Sequence, residues 1–350
     1  MLVSADHDWA VQMSDWAYAY GEPKLKGQLK KSPNDFQVVE NLDVIPCGEG
    51  EHIWLQITKQ RQNTDKVAKA LARHVGVAYR DVGYSGLKDF NAVTQQWFSI
   101  YHPKNQSIDW NLFELDGVRI DQVHRHARKI KRGTHQSNNF KIKICDIEGD
   151  ASTLDAKITQ IQETGVPNYF GEQRFGRNLN NMQQAQALLV EGQSFKDRNL
   201  KSILYSSARS WLFNEILSAR IKNNSWACLY EQEPANLNGS NSVFNAEKNS
   251  SEIERLSALD IHPTAPMWGK YKDEKVSLYS VLHEFEQTTI NHHANLCAGL
   301  EKANLSYQRR ALRLKVNQFE SSHLGNDIVV SFNLMKGQFA TSVIRELFVT

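Results

Sequence analysis

Strand-like and helix-like residue patterns occupy different parts of this chain, and their distribution constrains the fold more than any other feature. The clearest strand pattern is 140–147, where apolar residues from Phe140 onward alternate with Lys141, Lys143 and Cys145. Other strand-like runs are 36–40, 51–58, 97–101, 118–123, 310–316 and 327–335, and helical spacing of apolar residues occurs at 182–190, 207–221 and 280–300. A helical middle between β-rich ends predicts an α+β protein with an inserted domain, in which both ends build one mixed, largely antiparallel sheet with flanking helices.

The length supports a division into two domains. A chain of 350 residues exceeds what one simple core usually organises. We place the boundaries where the pattern changes, so that 1–163 and 308–350 form one domain and 164–307 form the insert. Within the insert, the Asn-, Ser- and Gly-rich segment 231–251 predicts turns or a loop, and residues 1–20 predict an irregular or strand-like entry.

Composition excludes several classes of protein. Apolar residues make up 41% of the chain and charged residues 23%, as is ordinary for globular proteins. No apolar run approaches the ~18 residues of a membrane span, and the N-terminal residues do not resemble a signal peptide. The cysteines are scattered, which favours reduced thiols and a cytoplasmic protein. They are Cys47, Cys145, Cys228 and Cys297.

Sequence patterns for cofactors and metals are missing as well. Neither of the glycine-rich patterns that bind nucleotide phosphates occurs, so we expect no nucleotide cofactor. His292 and His293 are adjacent, but no acidic residue or cysteine lies at ligand spacing from them. Because neighbouring helical residues also point in different directions, this histidine pair predicts no metal site.

Positive charge is concentrated in two stretches, although the net charge is only +2. The first, 121–135, has five Arg or Lys and three His against one acid, and the second, 194–222, has six Arg or Lys against two acids. Two basic stretches in a near-neutral protein suit a polyanion such as nucleic acid laid along one face. Two solvated surfaces whose charges are balanced by neighbours in the fold explain the same residues equally well.

One segment, 83–98, carries residues suited to catalysis. Gly83 and Gly86 bracket a turn, Asp89 follows it, and a β-prone run begins at Val93. Glycine allows a positive φ and the close approach of a partner. A lone carboxylate beside such a turn, at the mouth of a strand, is a good place for a nucleophile. An aspartate that caps its own turn is the other interpretation, and both stay open on these residues alone.

Two motifs indicate a family. They are Gly86-Leu-Lys-Asp-Phe-Asn-Ala-Val-Thr-Gln95 and Val166-Pro-Asn-Tyr-Phe-Gly-Glu-Gln-Arg-Phe-Gly176. In this order and about eighty residues apart, they resemble the two hallmark motifs of the TruD family of tRNA pseudouridine synthases. The similarity extends from about Gly21 to the C-terminus. It implies the pseudouridine synthase fold, with 1–163 and 308–350 as the catalytic domain, 164–307 as an inserted α/β TRUD domain, and a basic cleft between them.

The resemblance also implies an activity. TruD-like enzymes isomerise uridine 13 of tRNA, mainly tRNA-Glu in bacteria, to pseudouridine without a metal or cofactor. We therefore expect a cytoplasmic, monomeric isomerase whose partner is tRNA. Two alternatives remain on the residues alone. One is a non-catalytic RNA-binding or RNA-chaperone protein on the same scaffold, and the other is a carboxylate-dependent glycoside or nucleoside hydrolase, which needs a second catalytic carboxylate facing Asp89.

The resemblance assigns roles to individual residues. Asp89 matches the nucleophile. Phe36, Asn138 and Phe339 match residues that contact the substrate, and Phe140 matches an active-site position where other pseudouridine synthases tend to have tyrosine. Such contacts suit a uracil taken out of its stack, since stacking of a base on an aromatic ring contributes about 1–3 kcal/mol.

Four further residues have open roles. Lys30 lies in a Leu-Lys-x-x-Pro frame that resembles the family, and we expect it either to orient or neutralise Asp89 or to be a solvated lysine. Lys88 should point away from Asp89 if the segment is extended. In the second motif, Arg174 suits a phosphate contact, and Asn168 suits a hinge or cap. Packing of the motif against the catalytic sheet is the other interpretation.

Overall fold

The structure, a computed structural model, describes residues 9–103, 106–247, 249–271 and 280–350. Residues 1–8, on which the signal-peptide expectation rests, lie outside these ranges. The chain divides into two compact units. Unit 1 comprises the described residues up to Pro23, Thr159–Lys315 and Phe339–Leu347, and unit 2 comprises Lys24–Ile158, Val316–Gln338 and Phe348–Thr350. The functional division into 1–163 with 308–350 and 164–307 stays a prediction.

Helices and strands are numbered in chain order. The helices are α1 (Trp9–Ser14), α2 (Thr64–Val75), α3 (Leu154–Thr164), α4 (Asn180–Leu189), α5 (Arg198–Lys222), α6 (Ser250–Ser257), α7 (Ser280–Ile290), α8 (Ala294–Lys302) and α9 (Ala340–Leu347). The strands are β1 (Leu25–Leu29), β2 (Phe36–Asn41), β3 (His52–Gln60), β4 (Val82–Tyr84), β5 (Val93–Tyr101), β6 (Val118–His126), β7 (Ser137–Glu148), β8 (Val166–Pro167), β9 (Pro234–Leu237), β10 (Val243–Asn245), β11 (Ile261–Met267), β12 (Gln308–Ala311), β13 (Arg313–Leu314), β14 (Asn317–Leu324), β15 (Asp327–Met335) and β16 (Phe348–Val349).

Unit 2 is built on one mixed, largely antiparallel sheet. Its strand order is β14-β15-β7-β2-β5-β3-β6, and β2 and β5 run parallel while the other neighbours on this path are antiparallel. The C-terminal strand β15 pairs with β7 in continuous register, from Ile328 opposite Ile144 to Met335 opposite Ser137. The two ends of the chain therefore build one sheet, as the sequence predicts.

Helix α2 covers part of this sheet because its apolar residues repeat at helical spacing. Val67, Ala68 and Leu71 are fully buried against residues of β3 and β5. The helix ends at Gly76, which takes the left-handed conformation at φ 75° that favours glycine. The turn that follows leads into β4 and then into the segment that contains Asp89.

Unit 1 is organised around α5, the longest helix of the described chain. Its side chains Trp211, Leu212 and Phe213 are fully buried in an aromatic-rich core. A small sheet in the order β10-β9-β11-β12 lies in the same unit, and β8 and β13 form a separate pair. Both sheets are antiparallel.

Four predictions about local structure were wrong. The run 310–316, expected to be one strand, divides into β12 and β13 of unit 1. The strand that precedes β15 and pairs with it is β14, where only Phe319 is buried, so that its sequence shows little alternation. The segment 231–251 contains the β9–β10 hairpin rather than only turns. Residues 9–14 form α1 instead of a strand-like entry, and the helix expected over 280–300 is interrupted by a 3-10 turn at Asn291–His293.

Among the residues that the structure describes, no helix is long and apolar enough to cross a membrane.

Candidate active site

Four neighbouring strands of unit 2 bring the polar residues of the site to one face of the sheet. Phe140 on β7 lies opposite Val38 on β2, and Val38 lies opposite Thr94 on β5. Thr94 in turn lies opposite Lys59 on β3. Residues that are directly opposite across strands share a face, so this row runs from Phe140 to Lys59. The segment 86–89, which contains Asp89, is bound at the Lys59 end of the row.

The Asp89 carboxylate is half exposed and faces a cation. Its side chain is 48% exposed, and its Oδ2 accepts a hydrogen bond of 2.7 Å from Nζ of Lys30. Lys30 has a left-handed backbone at φ 56°, and its Nζ lies 4.0 Å from the ring centroid of Phe36. The ammonium therefore lies within reach of both a carboxylate and an aromatic face, which is a favourable place for a cation.

Three buried side chains, those of Lys59, Thr64 and Gln96, form hydrogen bonds to the backbone of segment 86–89. Nζ of Lys59 donates to the carbonyl oxygens of Asp89 at 2.8 Å and Lys88 at 3.4 Å. Oγ1 of Thr64 accepts from the Lys88 backbone N–H at 3.0 Å and donates to Gln96 Oε1 at 2.9 Å. Nε2 of Gln96 donates to the carbonyl oxygen of Gly86 at 3.2 Å. These bonds fix the backbone that presents Asp89.

Lys59 is fully buried, and this burial lowers the pKa of its ammonium to about 8 against the opposing effect of the Asp89 charge. None of these three residues was proposed from the sequence. The one available signal was position: Lys59 continues the inward series Ile53, Leu55 and Ile57 of β3, where a lysine is unusual.

Lys88 points into the protein, as expected, although it is the neighbour of Asp89. Its Nζ lies 3.0 Å from Oε2 of Glu40 and donates to Oδ1 of Asn138 at 2.7 Å. The Lys88 side chain is 7% exposed and the Glu40 side chain is fully buried. Glu40 and Asn138 lie directly opposite each other on β2 and β7, so one lysine bridges a cross-strand pair.

The contact with Lys88 fixes the orientation of the Asn138 amide. An ammonium group is only a donor, so the amide atom that faces it must be the oxygen. Among the described residues, Nδ2 of Asn138 donates to no protein acceptor. The NH₂ group of Asn138 is therefore a donor without a protein acceptor in the described part of the chain.

The aromatic residues predicted to contact substrate have different environments. Phe36 is only 4% exposed and packs edge-to-face with Phe140 at 6.2 Å between ring centroids. Phe140 is partly buried and stacks on Phe332 at 5.5 Å. Phe339 belongs to unit 1, where its ring centroid lies 6.0 Å from that of Phe170. Unit 2 thus brings together Asp89, Lys30, Phe36, Phe140 and Asn138.

Of the two glycines of this segment, Gly83 allows close packing, and neither has an unusual backbone. Neither Gly83 nor Gly86 has a positive φ, contrary to one of the two reasons given for them. A Cβ at Gly83 would overlap the carbonyl oxygen of Ile130. Gly86 lies beside His135, whose Nδ1 is 2.5 Å from Oγ of Ser85. Burial, with help from nearby lysines, lowers the pKa of His135 to about 4, so this histidine is neutral near pH 7.

Comparison with known proteins identifies the family. A family model described as tRNA pseudouridine synthase D (TruD) matches residues 12–196 and 179–347. The chain belongs to the TruD family. A tRNA pseudouridine synthase D of Aeromonas salmonicida is 42% identical over 332 residues, which cover 95% of this chain and 93% of that protein. One of Methylococcus capsulatus is 39% identical over 335 residues, which cover 95% and 94%.

A solved structure supports the fold. The crystal structure of a Methanosarcina mazei protein described as a tRNA pseudouridine synthase D superposes with a TM-score of 0.72 at 20% sequence identity, and the match covers 95% of this chain and 96% of that one. The predicted family and the predicted α+β pseudouridine synthase fold class are thereby confirmed. Membership of the family also confirms the predicted class of enzyme, an RNA-modifying isomerase.

The second TruD motif packs inside unit 1. Asn168 donates through Nδ2 to the carbonyl oxygen of Ala311 at 2.8 Å. The backbone N–H of Phe170 donates to Oδ1 of Asn214 on α5 at 3.0 Å, and Phe175 is fully buried. Most of this motif therefore has a packing role within its own unit. The exceptions are Glu172 and Gln173, which are exposed, and Arg174, which is partly exposed.

The two basic stretches contribute fewer exposed charges than the sequence suggests. In 121–135, Arg128, Lys131 and Arg132 are exposed. His126 is buried, which lowers its pKa as burial also does for His135. Burial thus keeps two of the three histidines uncharged near neutral pH.

In the second stretch, two arginines serve the interior of unit 1. Arg220 is fully buried and forms an ion pair of 3.1 Å with Glu233. Arg209 donates from Nη2 to the carbonyl oxygens of Met267 at 2.8 Å and Ser306 at 2.9 Å. For these two residues, the interpretation as a polyanion surface was wrong, because their partners come from elements that sequence spacing does not reveal.

The histidine pair has an acidic neighbour that the sequence did not indicate. Helix α5 brings Glu215 to it, with Oε2 of Glu215 4.0 Å from Nε2 of His292. One ligand atom from each of Glu215, His292 and His293 lies within 4.8 Å of the others. Sequence spacing did not reveal this acidic neighbour, because Glu215 is distant from the pair in the chain. The expectation of no metal stays a prediction.

Proposed function

We propose that this chain is a tRNA pseudouridine synthase that converts uridine 13 of tRNA, chiefly tRNA-Glu, to pseudouridine, with Asp89 as the nucleophile. The observation that carries the proposal is the presentation of Asp89. A half-exposed carboxylate lies 2.7 Å from the Lys30 ammonium, on a backbone segment that the buried side chains of Lys59, Thr64 and Gln96 hold in place. Such preorganisation is what a positioned nucleophile requires.

The reaction rearranges atoms without changing their number. The bond between N1 of uracil and C1′ of ribose breaks, a bond between C5 and C1′ forms, and the proton that leaves C5 is balanced by one gained at N1. No net oxidation occurs, so a carboxylate and a properly held base suffice. The carboxylate of Asp89 adds to the sugar or the base, or starts elimination to a glycal. Each route requires the uridine outside its stack.

The neighbouring residues have roles that follow from their positions. Lys30 orients the Asp89 carboxylate through their hydrogen bond. The NH₂ group of Asn138 donates to a carbonyl oxygen of the uracil, since its own carbonyl oxygen is occupied by Lys88. Phe140 contacts the base or ribose, and Phe36 supports both Phe140 and Lys30.

The proposal includes three assignments for the whole chain. Residues 1–163 and 308–350 are the catalytic domain, and 164–307 are the TRUD insertion. Phe339 supplies a further substrate contact. The enzyme acts as a monomer in the cytoplasm, and tRNA is its partner.

The buried pair of Lys88 and Glu40 argues against a hydrolase. A glycoside hydrolase places two carboxyl groups about 5–10 Å apart on either side of the scissile bond. Glu40 is a candidate for the second carboxylate, because it lies in this part of unit 2. Its side chain, however, is fully buried and paired with Lys88. A buried, paired carboxylate is poorly placed to protonate a leaving group.

Replacing one carboxylate tests the proposal. Asp89→Asn should bind a tRNA-Glu transcript as the wild type does and should form no pseudouridine at position 13, as read by carbodiimide mapping. Asp146→Asn is the matched control, because Asp146 has a 50% exposed side chain paired with Lys31 at 2.6 Å in the same unit. Its activity should equal that of the wild type.

Two results would contradict the proposal. Full activity in Asp89→Asn would remove Asp89 from the mechanism. A wild-type protein that binds tRNA without changing any uridine would instead support a non-catalytic RNA-binding role, and modification at another position would overturn the assignment of uridine 13.

A further inference from the structure

Two arginines of unit 1 flank the same aromatic ring. Arg310 lies on β12, and its Cζ is 4.3 Å from the ring centroid of Phe170. Arg174 lies in the short turn after Phe170, and its Cζ is 5.3 Å from the same centroid. Both side chains are partly exposed. The two guanidinium groups are therefore no more than about 10 Å apart.

Neither guanidinium is neutralised within the part of the chain that the structure describes. Arg310 donates from Nη2 to Oδ1 of Asn168 at 2.7 Å, and Arg174 donates from Nη1 to Oγ of Ser206 at 3.1 Å. Both acceptors are uncharged, and neither arginine has a carboxylate within ion-pair distance among the described residues.

Two other arginines of the unit have more hydrogen-bond partners. Arg309, the chain neighbour of Arg310, is paired with both carboxylate oxygens of Glu286 at 2.6 and 3.1 Å. Arg313 has no such carboxylate, but it donates to the carbonyl oxygens of Leu256 and Ile261 and to a ring nitrogen of His262. Arg174 and Arg310 differ from these in having one neutral partner each.

The unfavourable environment of the two guanidinium groups lowers their pKa values. Burial, and then repulsion by Arg174, lower the pKa of Arg310 to about 10. Burial also lowers the pKa of Arg174. Two partly buried positive charges no more than about 10 Å apart, without a counter-charge, destabilise the free protein. An anion that contacts both groups would remove this destabilisation.

We propose that Arg174 and Arg310 together bind one phosphodiester group of the RNA backbone. Nη1 of Arg310 and Nη2 of Arg174 have no protein acceptor among the described residues, and the planar guanidinium group matches the geometry of phosphate oxygens. The rings of Phe170 and Phe339, 6.0 Å apart between centroids, add the aromatic surface that accompanies arginine in binding sites for nucleic acid. The identification of the anion as RNA rests on the proposed function.

The test replaces the cation while keeping its volume. Arg310→Met should weaken binding of a tRNA-Glu transcript about tenfold, which corresponds to about 1.4 kcal/mol, because a hydrogen-bonded charge contact is lost. Its melting temperature should be unchanged or higher, because a buried cation without a counter-charge has been removed. A purely structural role, in which Arg310 stacks on Phe170, predicts the opposite pair of results: a lower melting temperature and unchanged affinity for tRNA.

Three further measurements sharpen the test. Arg174→Gln should weaken binding by a similar factor, and the double variant should lose less than the product of the single losses, because both residues contact one phosphate. Arg177→Gln, at an exposed arginine in the same segment, should have little effect. Two independent, fully multiplicative losses would overturn the shared site.

The source of the anion is also testable. If inorganic phosphate raises the melting temperature of the wild type but not of Arg310→Met, while both bind tRNA equally, the ligand is free phosphate and the RNA proposal fails. If the wild type forms no pseudouridine but the variants still lose tRNA affinity, the proposed function fails and the phosphate site stands.

Discussion

Two neighbouring residues of unit 2, Lys88 and Asp89, each form an ion pair, and the two ion pairs differ in their exposure to solvent. The exposed pair joins Lys30 to Asp89, whose side chains are 21% and 48% exposed. The buried pair joins Lys88 to Glu40, whose side chains are 7% and 0% exposed. The two distances are similar, at 2.7 and 3.0 Å. The two acidic and basic partners differ because the side chains of Lys88 and Asp89 point in different directions, Lys88 towards Glu40 and Asp89 towards Lys30.

The difference in exposure gives the two pairs different consequences. An exposed pair contributes about 0–1 kcal/mol to stability, so Asp89 can leave Lys30 for a substrate at little cost. A buried pair is costly to break, because the remaining partner becomes an unpaired charge away from water. The buried pair therefore fixes the site, while the exposed pair keeps the reactive carboxylate available.

The largest expected effect on stability is at Glu40. Glu40→Gln keeps the shape and the oxygen that accepts from the Trp97 backbone N–H, but it leaves the Lys88 ammonium buried without a counter-charge. We expect the free energy of unfolding of unit 2 to fall by about 3–5 kcal/mol. Urea unfolding followed by circular dichroism measures the change.

A double variant provides the control for Glu40. Replacing both Glu40 and Lys88 with methionine removes the two charges together, and apolar replacement of a whole buried pair is often neutral or stabilising. The double variant should therefore recover most of the stability that Glu40→Gln loses. A single variant as stable as the wild type would show that the pair is not desolvated.

An intermediate effect is expected at Lys59, below the exposed pair. Lys59→Met removes the donor to the carbonyl oxygens of Asp89 and Lys88, so the backbone that presents Asp89 can shift. A displacement of about 1 Å at a catalytic group can lower the rate about a hundredfold. The measurement is the rate of pseudouridine formation at saturating tRNA, and Lys69→Met on the exposed face of α2 is the control.

The pKa of Lys59 adds a prediction for pH. It is lowered to about 8 in the folded protein, against about 10.4 for an ordinary lysine. Between these values the unfolded chain binds more protons than the folded one, so stability should rise with pH from about 8 to about 10. In Lys59→Met the part of this rise that belongs to Lys59 should vanish. An unchanged pH profile would contradict the burial of a charged ammonium.

The sequence was sufficient to predict residues that a short local motif identifies. The motif around Asp89 and the frame around Lys30 are each contained in a short segment, so both residues were predicted, and the structure places them 2.7 Å apart. The alternation of 140–147 likewise predicted β7, because inward and outward positions repeat every two residues. Local signals of this kind also located α5 and β15.

The supporting residues could not be predicted because their partners are distant in the chain. Lys59 binds the carbonyl oxygen of a residue 30 positions away, and Glu40 meets Lys88 through pairing of β2 with β7 and β5. Arg220 was counted as a surface charge until the fold placed Glu233 beside it. Charge and polarity are visible in a sequence, but burial and pairing depend on tertiary contacts.

The smallest expected effect on stability is at Lys30, where the exposed pair can be broken directly. Lys30→Gln should change the free energy of unfolding by less than about 1 kcal/mol, yet it should slow pseudouridine formation about tenfold, because Asp89 loses the group that orients it. Lys31→Gln is the matched control: it breaks the similarly exposed pair of Lys31 and Asp146 at 2.6 Å and should leave activity unchanged. Equal activity of the two variants would show that Lys30 is a solvated surface lysine. A large loss of stability in Lys30→Gln alone would show that the exposed pair is structural. In that case the exposed pair and the buried pair would no longer differ in role.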